Sequence, residues 1–113
     1  MHEISLCEGV LQVLQTESAR QGFRRVKQVW LEIGELSSVE PEAMRFSFDV
    51  VMRDTLADSA RLNIIRVPGA AWCMQCAKNV TVKQRFDECP ECGSYQLQVT
   101  GGEEVKIKEL EVE

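Results

Sequence analysis

Four cysteines in two C-x-x-C pairs restrict the fold of this chain more than any other feature of its sequence. The first pair is Cys73 and Cys76, and the second pair is Cys89 and Cys92. A two-residue spacer lets both thiolates of a pair reach one metal ion, and two such pairs supply the tetrahedral set of sulfurs that suits Zn²⁺. A thioredoxin-like redox site needs only one pair, beside a strand–helix unit. We therefore predict a structural zinc site, with redox chemistry and an iron site as the alternatives.

The cysteine count and the start of the chain predict a cytoplasmic protein. Five cysteines are an odd number, which is a poor basis for a disulfide framework. The first residues lack the basic start and apolar stretch of a secretory signal, and no apolar run approaches the roughly 20 residues that cross a bilayer. We therefore expect reduced thiols and no membrane association. The fifth cysteine, Cys7, lies on the apolar stripe of a predicted helix, which predicts a buried and inert thiol.

Hydrophobic periodicity predicts two helices and two strands before the cysteine pairs. Residues 4–21 carry apolar side chains at three- and four-residue steps, which predicts a helix that ends near Gly22. Alternation over residues 24–34 predicts a strand. A second helix is expected to begin at Pro41, because proline suits the first helical position. Residues 61–67 read as a second strand.

The segment after Gly102 returns to a strand pattern. Its apolar positions shift by one between Ile107 and Leu110, which predicts a bulge or kink there. The apolar face of this strand needs a sheet that the small cysteine-containing segment does not offer. We therefore place it beside the 24–34 strand or the 61–67 strand.

The composition changes after residue 68. Residues 69–102 contain four cysteines, few large aliphatic side chains and short strand-like segments at 79–83 and 95–100. We predict an α+β fold, a small three-stranded sheet with two helices plus an inserted zinc-ribbon-like module. The predicted domains are an α/β domain at 1–68 and 103–113 and a four-cysteine zinc module at 69–102.

The charge of the chain tests one possible function of such a module. Zinc ribbons can act as adaptors that bind nucleic acid or a transcription protein, and we consider this function as an alternative. Nucleic-acid binders concentrate positive charge, whereas the net charge here is −5. Within the module the charges cancel among Lys78, Lys83, Arg85, Asp87, Glu88 and Glu91. We therefore predict no nucleic-acid partner, and the lack of a catalytic triad, phosphate loop or catalytic metal pattern predicts that the chain is not an enzyme.

His2 is the only histidine in the sequence. The α-amine of Met1, the amide nitrogen of His2 and its imidazole can close adjacent five- and six-membered chelate rings. Such a planar set of nitrogens suits Ni(II) or Cu(II), which favour square-planar geometry. The fourth donor is open among the Glu3 amide, an oxygen of Glu3 or Glu40, and a group from a partner.

Three motifs together resemble the HypA/HybF family of hydrogenase maturation proteins. They are MHE at the start, IGELSSVEPEAMRFSFD at residues 33–49, and the paired cysteines, so that the resemblance runs nearly end to end. The resemblance implies a metallochaperone that delivers Ni(II) to the large subunit of [NiFe]-hydrogenase together with a HypB-type GTPase. It also implies a nickel site centred on His2, which makes residues 1–68 and 103–113 the nickel-binding domain. Glu3 matches the family motif, whereas several members have aspartate in place of Glu40. Some members of the family also serve urease, and the resemblance does not decide whether this protein does.

Overall fold

The computed structural model describes residues 2–113, and its two helices, α1 (His2–Gln21) and α2 (Pro41–Met52), lie where the sequence predicts them. Helix α1 ends at Gly22, which has a φ of +84° and donates its N–H to the Ser18 carbonyl at 2.8 Å. Helix α2 begins at Pro41, and the Glu40 side chain caps it by accepting the amide of Glu42 at 3.3 Å. No helix among these residues is long and apolar enough to cross a membrane.

The two helices pack on each other through buried apolar side chains. Cys7 is fully buried, and its thiol lies 3.8 Å from both the carbonyl oxygen and the sulfur of Met44. Burial and, to a smaller extent, the charge of Glu3 raise the pKa of the Cys7 thiol to about 11. The prediction of a buried thiol at this position is confirmed.

The first sheet contains β1 (Val26–Gly34), β2 (Arg61–Val67) and β6 (Val105–Val112) in the order β2-β1-β6. Strands β1 and β6 run antiparallel. Arg25 exchanges both backbone hydrogen bonds with Glu113 at one end, and the Gly34 amide donates to the Glu104 carbonyl at the other. Of the two neighbours expected for the last strand, the structure selects β1. Inside the sheet, Val29, Leu31 and Ile33 are fully buried, as their alternation predicts.

The second sheet is formed by the cysteine-containing segment. Its strands are β3 (Gly69–Cys73), β4 (Lys78–Val82) and β5 (Leu97–Gly101), and β3 pairs antiparallel with both of the others. The strand-like segments of the sequence correspond to β4 and β5, whereas β3 was not expected. Its run of glycine and alanine carries little β propensity, so its central position comes from pairing on both edges. The α+β architecture with an inserted zinc-ribbon-like module is confirmed.

The chain forms two compact units. The first contains the chain up to Leu31, Val39–Ile65 and Lys106–Glu113, and the second contains Glu32–Ser38 and Arg66–Val105. The second unit is therefore larger than the cysteine-containing segment alone.

Glycines hold the short segment Glu32–Ser38 within the second unit. A Cβ atom added to Gly34 would lie 2.1 Å from the carbonyl oxygen of Gly102, so the two backbones touch at a distance that only glycine permits. Leu36, in the short 3₁₀ turn that follows, is buried in the core of the unit. The guanidinium of Arg85 donates to the Leu36 carbonyl at 3.1 Å.

Candidate metal centres

The second unit brings the four paired cysteines together at one point. Their sulfur atoms all lie within 4.8 Å of one another. The sulfurs of Cys73 and Cys92 are 3.7 Å apart, and those of Cys76 and Cys89 are 3.9 Å apart. A tetrahedron with metal–sulfur bonds of about 2.3 Å has edges of about 3.8 Å. The spacing therefore fits one tetrahedral ion.

Backbone amides donate hydrogen bonds to two of the sulfurs, which favours their thiolate form. The amide of Cys76 donates to the Cys73 sulfur at 3.3 Å, and the amide of Glu91 donates to the Cys89 sulfur at 3.4 Å. Burial alone would raise the pKa of Cys89, but hydrogen bonds from the amides of Glu91 and Cys92 and from the thiols of Cys92 and Cys73 together lower this pKa to about 7. Hydrogen bonding with Cys92 and burial raise the pKa of Cys76 to about 12. Ionisation of Cys89 is thus favoured and that of Cys76 opposed, and a bound cation would favour the thiolate form of each sulfur that it contacts.

The surroundings of the cluster fix the two pairs relative to each other. Cys73 and Cys89 are buried in the core of the unit, with Ala71 and Val80 among their neighbours. The ammonium of Lys78 lies 2.5 Å from a carboxylate oxygen of Glu91, which ties the end of the first pair to the middle of the second. Both side chains are about half exposed, so this ion pair contributes at most about 1 kcal/mol. The apolar core and the cluster itself therefore hold the site.

Each pair is followed by a residue in the left-handed region. Gly93 has a φ of +77° after the second pair, and Ala77 has a φ of +56° after the first. Glycine adopts this conformation freely, whereas an alanine there is strained by about 1–2 kcal/mol. The first pair therefore carries a strain that the second avoids.

We expect Ala77→Gly to stabilise the second unit by about 0.5–1 kcal/mol. Relief of about 1–2 kcal/mol of strain exceeds the roughly 0.4–1 kcal/mol that glycine adds to the entropy of the unfolded chain. The matched variant Gly93→Ala should destabilise the unit by a similar amount. Thermal unfolding of the metal-loaded proteins measures both changes, and a lower stability of Ala77→Gly than of the wild-type protein would show that Ala77 is unstrained.

The other predicted site lies at the start of α1. His2 is exposed in the first turn of this helix, whereas the Glu3 side chain is largely buried. A carboxylate oxygen of Glu3 accepts the amide of Glu40 at 3.4 Å. Hydrogen bonds from its own amide and from the amide of Glu40 lower the pKa of Glu3. The predicted Met1 ligand lies outside the described residues.

The link between Glu3 and Glu40 was not expected from the sequence. The two residues are 37 positions apart, and no periodicity signals such a contact. It joins the beginnings of the two helices directly beside the only histidine. Both carboxylates, which were candidate fourth donors, accept backbone amides in this arrangement.

These features define a small metal-binding protein of the α+β class. A cluster of four cysteines lies in one compact unit, and an exposed histidine lies at the start of a helix in the other. An ion held by all four sulfurs would have no open coordination position, as in metal sites of the structural kind. The histidine at the helix start is a second candidate metal ligand.

Comparison with known proteins specifies the class further. A family model described as "Hydrogenase/urease nickel incorporation, metallochaperone, hypA" matches residues 1–112. Proteins named hydrogenase maturation factor HypA from Rhodopseudomonas palustris (strain BisA53) and Alkalilimnicola ehrlichii are 60% and 62% identical to this chain, with 100% of both chains covered in each case. The solution structure of the Ni metallochaperone HypA from Helicobacter pylori has a TM-score of 0.72 at 21% identity, covering 99% of this chain and 97% of that one. This last likeness supports the fold.

The chain belongs to the HypA family. The resemblance seen in the sequence is thereby confirmed. Members of this family are metallochaperones that act in hydrogenase maturation and are not enzymes, which confirms the prediction on enzymatic activity.

Proposed function

We propose that this protein carries Ni(II) and delivers it for maturation of [NiFe]-hydrogenase. The observation that carries the proposal is His2, the only imidazole of the chain, which stands exposed at the start of α1. A surface site suits a delivery protein, because the ligands of an acceptor can reach the ion before the donor has released it. The four cysteines belong to the other compact unit, so cargo and structural metal use separate ligands.

The helix start favours nitrogen ligands. The first amides of a helix have no carbonyl four residues earlier, so binding through the His2 amide breaks no helical hydrogen bond. We propose that the α-amine of Met1 and both the amide and the imidazole of His2 form a planar set for Ni(II). The Glu3 carboxylate is occupied by the Glu40 amide, which favours a role for Glu3 through its own amide or as support for the terminus.

We propose zinc as the ion of the four-cysteine site. Zn²⁺ prefers tetrahedral thiolate sets with bonds of about 2.3 Å, and the sulfur spacing of 3.7–3.9 Å fits this geometry. Zinc bound there would be structural, folding residues 69–102 onto their small core. Residues 1–68 and 103–113 would form the nickel-binding domain.

The proposed partners are a HypB-type GTPase and the large subunit of [NiFe]-hydrogenase. The named relatives are hydrogenase maturation factors, which supports hydrogenase as the destination. The family description also includes urease, and nothing in this chain separates the two enzymes. A cytosolic location stays a prediction.

A nickel titration of the chain with and without an N-terminal extension tests the proposal. The unextended, zinc-loaded protein should bind one Ni(II) and keep its zinc. Adding Gly-Ser before Met1 converts the terminal amine into an ordinary amide and breaks a chelate ring while keeping His2. Nickel affinity should fall at least tenfold, about 1.4 kcal/mol, in calorimetric titrations in one buffer.

Zinc content and thermal stability serve as the controls for this extension, because neither depends on the terminus. Equal nickel affinities of the two proteins would remove the amine from the ligand set and leave His2 as the candidate. Absence of nickel binding by the unextended protein would contradict the proposed function itself.

A further inference from the structure

The four cysteines of the cluster differ in their access to solvent. Cys73 and Cys89 are buried in the core of the second unit, with exposed fractions of 0% and 2%. Cys76 is partly buried, whereas Cys92, the last of the four, is exposed. A cation bound by the cluster keeps these sulfurs as thiolates, which is the form of cysteine that reacts with oxidants. Cys92 is therefore the position at which a small oxidant from solvent first meets a thiolate.

A sulfur of the other C-x-x-C pair lies next to Cys92. The sulfurs of Cys73 and Cys92 are 3.7 Å apart, and those of Cys76 and Cys89 are 3.9 Å apart. A disulfide bond is about 2.05 Å long, so either contact becomes a disulfide when its two sulfurs approach each other by less than about 2 Å. Both contacts cross from the first pair to the second. Disulfides at these contacts would therefore join the same two segments that a shared metal ion joins.

We propose that Cys92 is a site of oxidation, at which a hydroperoxide converts the zinc-loaded cluster into a zinc-free form closed by Cys73–Cys92 and Cys76–Cys89 disulfides. Cysteines that sense oxidants combine solvent access with a second cysteine beside them, and Cys92 has both properties. The inference rests on the proposed zinc site and assigns a reaction to its ligands. It does not depend on nickel binding.

Each disulfide forms in two steps that consume one hydroperoxide. The Cys92 thiolate first attacks the terminal oxygen of the hydroperoxide, the O–O bond breaks, and the other oxygen takes a proton from solvent and leaves as an alcohol or as water. The Cys73 thiolate then attacks the sulfur of the resulting sulfenic acid, the S–O bond breaks, and hydroxide takes a proton and leaves as water. The two sulfurs thus lose two electrons, which reduce the two oxygens of the hydroperoxide.

Formation of the first disulfide is sufficient to release the ion. Cys76 and Cys89 are then the only remaining sulfur ligands, and two ligands do not complete the tetrahedral set that holds structural zinc. Their own contact reacts in the same way with a second hydroperoxide. Both disulfides keep the two C-x-x-C pairs linked, so reduction by a thiol returns four neighbouring sulfurs to which zinc binds again.

Oxidation of the zinc-loaded full chain with hydrogen peroxide tests the inference. A chromogenic chelator should record zinc release while mass spectrometry records the loss of two hydrogens from the chain. After alkylation of the remaining thiols, cleavage with trypsin and after Glu91 separates Cys89 from Cys92. The first disulfide should join residues 67–78 to residues 92–103, with Cys76 and Cys89 alkylated. Dithiothreitol with added zinc should then restore the zinc content.

Histidine substitutions test the role of Cys92 while they keep a fourth zinc ligand, because the imidazole of histidine also binds zinc. Cys92→His should release zinc at least tenfold more slowly than the wild-type protein at the same concentration of hydrogen peroxide. The matched control is Cys76→His, which removes a sulfur from the other contact, keeps Cys92 beside Cys73, and should release zinc at nearly the wild-type rate. Zinc analysis before oxidation establishes that both variants are loaded.

Three results would overturn the inference. They are zinc release from Cys92→His at the wild-type rate, a first disulfide within one C-x-x-C pair, and zinc release without any disulfide. Mapping of the first disulfide in the wild-type protein decides the matter even where a histidine variant does not hold zinc. Failure of the proposed zinc site would be seen separately, as a protein that purifies without zinc before any oxidant is added.

Discussion

Replacement of Cys73 or Cys89 with serine is expected to release zinc and to unfold the second unit. Both residues are buried in its core, and each supplies one corner of the tetrahedral sulfur set. Structural zinc binds such small modules with an apparent free energy of about 10–16 kcal/mol, and this binding is coupled to their folding. The described apolar core of the unit has few large side chains, Leu36 among them, and is too small to replace that contribution.

The experiment combines metal analysis with hydrogen exchange of individual amides. Amides of β3, β4 and β5 should lose protection in the variants, whereas amides of α1 and α2 should retain it. Cys7→Ala is the matched control, since it removes the fifth cysteine from the other unit and should leave the zinc content unchanged. Full protection of the three strands in a zinc-free protein would show that metal does not maintain this part of the fold.

Substitution of His2 with alanine is expected to abolish specific nickel binding while zinc remains in place. The variant loses the only imidazole of the chain and the six-membered chelate ring that it closes. We expect affinity for Ni(II) to fall at least about 100-fold, which corresponds to about 2.8 kcal/mol. The exposed side chain of His2 contributes little to the core, so thermal unfolding should be unchanged.

Calorimetric titration with Ni(II), followed by analysis of bound zinc, checks this expectation. Ser5→Ala is a suitable control, because Ser5 is also exposed in the first turns of α1 but carries no nitrogen ligand in its side chain. Nickel bound by His2→Ala with wild-type affinity would place the cargo elsewhere, with the four cysteines as the next candidates. Loss of zinc in the same variant would show that the two sites are coupled.

Local patterns in the sequence were sufficient for most secondary-structure elements. The three- and four-residue spacing of apolar residues predicted α1, and Pro41 marked the start of α2 because both signals act within one or two helical turns. The strand predicted at residues 61–67 coincides with β2. The paired cysteines specified their own cluster, since a C-x-x-C spacing brings both thiolates of a pair to one ion without help from distant parts of the chain.

Contacts between distant residues were decided only in the tertiary structure. Segment 69–73 carries no strong strand signal, yet pairing on both edges makes it the central strand of its sheet. Leu36 joins the core of the second unit and bonds Arg85, which lies 49 positions away. Periodicity shows which side chains are apolar, but it does not identify the partner against which they pack.

The two candidate metal centres also differ in how much of each was determined by local sequence and how much by contacts between distant residues. For the four cysteines, sequence spacing determined the two pairs of candidate ligands, and folding brought the two pairs together and added the amides and the core that surround them. At the start of α1, the sequence determined that His2 would be the only imidazole. The structure decided which group the carboxylate of the neighbouring Glu3 binds. Glu3 accepts the amide of Glu40 because the packing of α1 on α2 brings the two helix starts together. A hydrogen bond between residues 37 positions apart depends on that packing, which no local pattern encodes.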